Sequence, residues 1–202
     1  MTMQMTDIFF YQGEKAEAIA ISHRFSFSPA NAFGIETASW STSNYRGFWC
    51  DYSIDESFVI QNLYLYSKNQ FYPSINGQGA EKIPDFVALL DEINRKARVP
   101  KKYGDGFPMQ YIGINYDYEY SGRIVLGIDP EQNKAGRKKY RKVIELLLDM
   151  GIVEEETDIT EIWQTVDGRQ TEKVMNFWWE RQSNNYYILI NTFMGVNEPR
   201  SE

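Results

Sequence analysis

Alternation of apolar and polar side chains with a period of two is the sequence feature that most constrains the fold. The clearest example is Tyr111–Tyr120, where five apolar or aromatic residues alternate with Gly113, Asn115, Asp117 and Glu119. Successive side chains of a strand point to opposite faces, so this pattern predicts a strand with one packed and one solvated face. Such strands are typical of an antiparallel sheet.

Several other segments carry strand and hairpin signals of the same kind. Turn residues that interrupt short apolar runs predict antiparallel hairpins. We predict further strands over residues 8–11, 16–21, 48–54, 58–66, 123–128, 159–166, 173–181 and 186–193. The stretch from Ser22 to Ser43 alternates poorly and is predicted to be a long loop with aromatic anchors.

Two segments show helical spacing instead. Pro84 opens the first at the position that proline favours, and Pro100 ends it. The second runs from about Gly136 to Met150, with Gly151 as its C-terminal cap. We therefore expect an α+β fold, a predominantly antiparallel sheet packed by two helices. It would form a single domain over residues 1–202, with a possible subdivision near 130 into a β-rich part (1–129) and a helix-plus-meander part (130–202).

Positive charge is concentrated in two short stretches of an acidic chain. The net charge is -7, yet residues 95–102 carry five Lys and Arg and residues 134–142 carry six. If the two stretches meet in space, they form a positive patch on a negative body, which favours an acidic protein partner. The remaining acidity makes nucleic acid an unlikely partner, although an anion or nucleic-acid binder through the local patch stays an alternative. Simple solvated Lys and Arg side chains are the other interpretation.

The candidate binding residues come from these stretches and from two aromatic positions. Tyr140 lies inside the second stretch and could stack on a ligand, and Trp179 belongs to a Trp-Trp pair of which one ring is expected to face outward. The full set of candidate binding residues is Lys101, Lys102, Arg137, Lys138, Lys139, Tyr140, Arg141 and Trp179.

The chain offers little of the usual catalytic or metal-binding chemistry. His23 is the single histidine and Cys50 the single cysteine, so no disulfide within the chain and no ordinary zinc site can form. We find no phosphate-binding loop and no dinucleotide fingerprint. The sequence therefore predicts no catalytic residue, no metal and no cofactor.

Paired carboxylates supply the one enzymatic alternative. Asp117 and Glu119 share a face of the predicted strand and lie among tyrosines. Glycoside hydrolases use two carboxylates beside the scissile bond. A carbohydrate-active hydrolase is therefore the alternative function, and a solvated sheet face explains the same pattern without catalysis.

The N-terminal residues have neither a basic segment nor an apolar core of the secretory type. No apolar run approaches the length that spans a bilayer. We expect a cytoplasmic protein without membrane association, and the sequence predicts no oligomeric state.

The segment Tyr45-Arg46-Gly47-Phe48-Trp49 begins an aromatic-Arg-Gly strand, and Leu63-Tyr64-Leu65 lies in the expected partner strand. Over residues 40–80 this hairpin resembles a family of uncharacterised bacterial proteins, a domain of unknown function. The resemblance implies no activity and no residue roles. The lack of catalytic motifs, the segregated charge and the aromatic residues lead us to expect a bacterial non-catalytic binding protein acting by protein–protein interaction. An immunity-type protein is one concrete version, suggested by the small size and acidity of the chain and not by a motif.

Overall fold

The computed structural model describes residues 7–23, 25–39, 44–84, 108–132, 138–165 and 188–189. The described strands are β1 (Ile8–Tyr11), β2 (Glu14–Ile21), β3 (Phe48–Ile54), β4 (Phe58–Leu65), β5 (Glu81–Lys82), β6 (Met109–Tyr111), β7 (Tyr116–Asp117), β8 (Gly122–Gln132), β9 (Lys138–Asp149), β10 (Ile152–Asp158) and β11 (Ile188–Leu189). Two short helices accompany them, α1 (Pro29–Phe33) and α2 (Thr160–Thr165).

The protein is mostly β-sheet, so the predicted α+β class with two packing helices is wrong. The chain divides into two compact units built from alternating segments. Unit 1 contains Ser26–Tyr52 and Val59–Asp117 together with Asp7, and unit 2 contains Ile8–Phe25, Ser53–Phe58 and the segment from Tyr118 onward.

Unit 2 is built on an antiparallel sheet with the strand order β10-β9-β8-β2-β1, and β11 pairs with β2. The longest pairing joins β8 to β9, with Ile124 opposite Leu146 and Ile128 opposite Lys142. The predicted first hairpin is confirmed, since β1 and β2 pair with each other and the Gln12-Gly13 turn connects them.

The predicted helix over 136–150 is wrong, because Lys138–Asp149 forms β9. Val143, Ile144, Leu147 and Leu148 fit helical spacing, but Leu146 does not, and it is fully buried as well. A central strand covered on both faces has a continuous apolar run, which periodicity alone cannot distinguish from a buried helix. Pairing with strands on both sides decided the outcome.

The segment that follows β10 contradicts a second prediction. Residues 159–166 were expected to form a strand, and the structure places α2 at Thr160–Thr165. The Asp158 carboxylate accepts a hydrogen bond from the Thr160 backbone N–H at 2.9 Å, a local contact that favours a helix start. Trp163 then packs against a core cluster of Ala20, Val125, Val143 and Ile159.

Unit 1 contains strands in the order β3-β4-β6-β5, and β7 pairs with β4. The predicted strands over 48–54 and 58–66 are confirmed by β3 and β4. Phe48, Cys50 and Tyr52 are buried on one side of β3, as their alternation predicts. The predicted loop over 22–43 contains α1, whose Phe33 ring contacts Tyr116 at 5.0 Å.

The clearest alternating segment gives two short strands rather than one long one. Met109–Tyr111 forms β6 and Tyr116–Asp117 forms β7. Between them Gly113 and Asn115 have φ values of 67° and 42°. Such left-handed conformations interrupt an extended strand, and Gly and Asn adopt them most readily.

Three predicted elements lie largely or wholly outside the described residues: the helix after Pro84 and the strands over 173–181 and 186–193. Among the helices of the described ranges, none is long and apolar enough to cross a membrane.

Candidate functional site

Arg141, one of the predicted binding residues, lies in a network of carboxylates in unit 2. Its Nη2 is 2.6 Å from Glu14 Oε2 in β2, and its Nε is 3.3 Å from Asp129 Oδ2 in β8. About half of the Arg141 side chain remains exposed, at 53%. A guanidinium carries five N–H donors, so these two contacts orient the group and leave further donors for a ligand.

A cleft of about 360 Å³ lies beside Arg141. It is lined by Glu14, Lys15, Ala16, Glu17, Asp129, Pro130 and Arg141. Asp129 adopts a left-handed backbone with φ of 54°, inside a strand that otherwise keeps its register with β9. The mixture of carboxylates and cations suits the cleft to polar recognition.

Tyr140 is half-buried rather than free to stack on a ligand. Its hydroxyl donates a hydrogen bond of 2.8 Å to Glu17 Oε2, and its ring lies 6.5 Å from the Trp163 ring. Burial and the hydrogen bond to the Glu17 carboxylate raise the pKa of Tyr140. Tyr140 and Arg141 therefore reach two different carboxylates of β2.

The other predicted residues are only partly brought together. Lys139 is exposed and lies opposite Glu131 in the β8–β9 register, and Lys138 begins β9. Lys142, at the end of the same basic stretch, lies 3.8 Å from Glu156 of β10. The remaining predicted binding residues, Arg137, Lys101, Lys102 and Trp179, lie outside the described residues.

The first part of β9 is thus a mixed surface, where cations lie close to carboxylates from neighbouring strands. The predicted helix did not anticipate this mixture, because it has no neighbouring strands whose carboxylates could pair with the basic residues. Each pairing joins residues far apart in sequence, such as Glu14 and Arg141. No local sequence signal indicates such partners.

His23 forms a hydrogen-bonded pair with its sequence neighbour. Ser22 Oγ lies 2.9 Å from His23 Nδ1, and the Arg123 backbone N–H donates to the same oxygen at 2.8 Å. Ser22 is only 5% exposed. A serine nucleophile must reach its substrate, so this buried oxygen is better explained as a structural bridge.

Cys50 has no nucleophilic character in this environment. Its side chain is fully buried in unit 1. Burial, reinforced by the Asp7 carboxylate, raises the pKa of the Cys50 thiol well above its usual value. Reactive cysteines need the thiolate form and access to solvent, and Cys50 lacks both at neutral pH.

The carboxylates of the hydrolase alternative are both exposed, Asp117 in β7 and Glu119 beyond the end of that strand. The strand that was predicted to carry both carboxylates therefore ends at Asp117. Within the described ranges, no group of three or more His, Cys, Asp or Glu side chains is arranged to hold a metal ion.

Sequence reasoning missed a second polar cluster, in unit 1. Asp51, Asn62 and Tyr64 form a hydrogen-bonded group beside Trp49 on β3 and β4. The available signal was the placement of Trp49 and Asp51 on the strand face opposite the buried Cys50. A charged residue in a strand with so many buried positions is unusual.

Comparison of the chain with protein-family models, curated proteins and solved structures finds no match.

Proposed function

We propose that this is a non-catalytic binding protein that acts through protein–protein contact. We further propose that the charged surface where β8 ends and β9 begins, around Lys139 and Arg141, takes part in binding an acidic partner. An immunity-type protein of bacterial origin, which would bind and neutralise a toxin, is one concrete version. The observation that carries the proposal is Arg141, which is exposed and yet held by Glu14 and Asp129.

An oriented arginine is well suited to recognition. Ordering a long side chain on binding costs free energy, and Arg141 is already ordered by its two carboxylates. Exposed ion pairs of this kind contribute little to stability, so their main consequence here is the fixed direction of the guanidinium. Arginine is also among the residues enriched at the centres of protein interfaces.

Lys139 supports the same assignment. It is exposed two residues from Arg141 in β9, and Arg137 and Lys138 directly precede it in the sequence. Lys139 adds positive charge in the same strand as Arg141, whose own charge is offset by the Glu14 and Asp129 carboxylates. Such charges mainly accelerate association and make it dependent on salt.

The positions of three potential nucleophiles, Ser22, Cys50 and Tyr140, support a binding role. Ser22 and Cys50 are buried, and the Tyr140 hydroxyl is engaged by Glu17. None of these groups is presented to a substrate in the way that nucleophilic catalysis needs.

The test is affinity capture from the native lysate, followed by measurement of the association rate with the captured protein. Lys139→Glu should reduce the association rate about tenfold or more at low salt, because it reverses a charge at the edge of the surface. Lys68→Glu is the matched control: it makes the same change in net charge at another exposed lysine, in unit 1.

The expected result is a stoichiometric partner whose association slows in Lys139→Glu and not in Lys68→Glu. Equal loss in both variants would reduce the effect to overall charge and contradict the assigned surface. Absence of any partner for the folded wild-type protein would count against the binding role itself.

A further inference from the structure

One oxygen of the Asp51 carboxylate is buried without a hydrogen-bond partner. Oδ2 accepts two hydrogen bonds of 2.8 Å, from Asn62 Nδ2 and from the Tyr64 hydroxyl. Oδ1 has neither solvent contact nor a donor, and Asp51 is 6% exposed. Leaving a buried polar atom unpaired costs free energy, and the cost is greater for a charged group.

The surrounding side chains hold this carboxylate in a fixed orientation. Asn62 Oδ1 accepts the Gly113 backbone N–H at 2.9 Å, so both ends of the Asn62 amide are engaged. Burial and the hydrogen bond to Asp51 raise the pKa of Tyr64, which keeps its hydroxyl protonated as a donor. The unpaired Oδ1 of Asp51 is therefore part of an ordered group of side chains.

An aromatic pair lies beside the carboxylate. The Trp49 indole stacks on the Tyr64 ring, with centroids 4.9 Å apart and planes at 3°. Both side chains are half-buried, and the stacking covers one face of each ring. The faces of aromatic rings are electron-rich and attract cations, tryptophan most strongly.

We propose that Trp49, Asp51, Asn62 and Tyr64 form a recognition site for a guanidinium group. A planar guanidinium stacks on an aromatic face and donates N–H groups in its plane, which matches a ring beside a carboxylate oxygen that lacks a donor. Because Oδ1 has no solvent contact, a neighbouring side chain must move for the guanidinium to reach it. This site goes beyond the proposed function, because it lies in unit 1 and selects a positive rather than a negative ligand.

The guanidinium could belong to a free small molecule or to an arginine of a peptide. Both present the same chemistry to Asp51, and they differ in the contacts made by the rest of the ligand. The probes are therefore methylguanidinium and a capped Gly-Arg-Gly peptide. N-methylurea, which has a similar planar shape and no charge, is the neutral control.

The experiment is calorimetric titration of the full chain with each probe at matched ionic strength, with circular dichroism to verify folding. We expect saturable binding of methylguanidinium and none of N-methylurea. Asp51→Asn should weaken binding roughly 30-fold or more, since it removes the charge of a buried ion pair. Glu81→Gln, which removes an exposed carboxylate of β5, should leave the affinity unchanged.

Trp49→Leu tests the aromatic half and keeps the proposal falsifiable if Asp51→Asn does not fold. It should weaken binding at least about threefold. Tighter binding of the peptide than of methylguanidinium would identify an arginine of a protein partner, and equal binding would identify a free small molecule. Absence of saturable binding to the folded wild-type protein, or equal affinity in Asp51→Asn, would overturn the site and indicate a buried water at Oδ1.

Discussion

Arg123 Nη1 lies 3.3 Å from Glu145 Oε2, and only 3% of the Glu145 side chain is exposed. The two residues come from β8 and β9, which pair along the middle of the unit 2 sheet. A buried ion pair contributes little net stability against an apolar replacement, but removing Arg123 takes a counter-ion away from the buried Glu145 carboxylate.

Arg123→Met should therefore lower the free energy of unfolding by about 3–5 kcal/mol. The double variant Arg123→Met/Glu145→Leu should recover most of this loss, because no buried charge remains. Urea denaturation followed by circular dichroism measures both. Lys68→Met, which breaks the exposed pair with Glu36, should cost less than about 1 kcal/mol. A single variant as stable as the wild type would contradict the buried character of the pair.

Gly127 leaves space for the Tyr140 ring. A Cβ added at Gly127 would lie 2.4 Å from Tyr140 Cδ1, far inside van der Waals contact. Gly127→Ala should destabilise the protein by about 1–3 kcal/mol through this overlap. The same substitution in a Tyr140→Ala background should cost much less, and thermal unfolding of the four proteins in the cycle gives the coupling.

Gly79→Ala is the control for this cycle, since nothing lies within 4 Å of its added Cβ and its φ is not positive. It should leave stability unchanged or raise it slightly. Additive effects of Gly127→Ala and Tyr140→Ala would show that the ring does not require the glycine.

Gly47 follows Arg46 in the aromatic-Arg-Gly segment, and the structure supplies a reason for it. Its φ is 72°, and an added Cβ would lie 2.5 Å from the Ala38 carbonyl oxygen. Gly13 has a similar φ of 78° but open space around it. Both alanine variants carry the left-handed strain of about 1–2 kcal/mol, and only Gly47→Ala adds a backbone clash.

We therefore expect Gly47→Ala to be the less stable variant by at least about 1 kcal/mol. Chemical denaturation of both proteins measures the difference directly. Equal stabilities would mean that the segment around Ala38 moves away at negligible cost.

Stability should fall at alkaline pH because buried tyrosines resist ionisation. Burial, together with nearby Tyr72, raises the pKa of Tyr111 to about 12. Below the ordinary tyrosine pKa of about 10 both states hold the proton. Above it the unfolded chain loses the proton first, so the folded state binds more protons and stability falls until the folded pKa is passed.

Thermal unfolding should therefore show a declining melting temperature between about pH 10 and pH 12. The melting temperature of Tyr111→Phe should decline less steeply over this range. The variant should be less stable at neutral pH, because the hydrogen bond from the Tyr111 hydroxyl to the Pro73 carbonyl is lost. A melting temperature that stays constant through this range would contradict the protected state of Tyr111.

Local pattern was sufficient where a strand has one buried face. Phe48, Cys50 and Tyr52 alternate with half-buried Trp49 and with the charged Asp51, and the structure confirms the three as buried residues of β3. Turn residues were equally informative, as at Gln12-Gly13, where both φ values are positive.

Prediction failed where burial covers both faces or where short-range contacts redirect the chain. Ile144 and Leu148 satisfy helical spacing, yet they lie in β9 between two pairing strands. Residues 111–120 were predicted to form one strand, and the left-handed conformations of Gly113 and Asn115 interrupt it.

The sequence alone determined the β1–β2 and β3–β4 hairpins, the buried residues of β3 and the concentration of positive charge in two stretches. Tertiary structure alone decided that residues 138–149 form a strand, that Arg141 lies between Glu14 and Asp129, and that Asp51 holds an oxygen without a donor. The physical reason is that alternation and turn preferences are local properties of the chain. Strand pairing and the partners of buried charges depend on residues that only folding brings together.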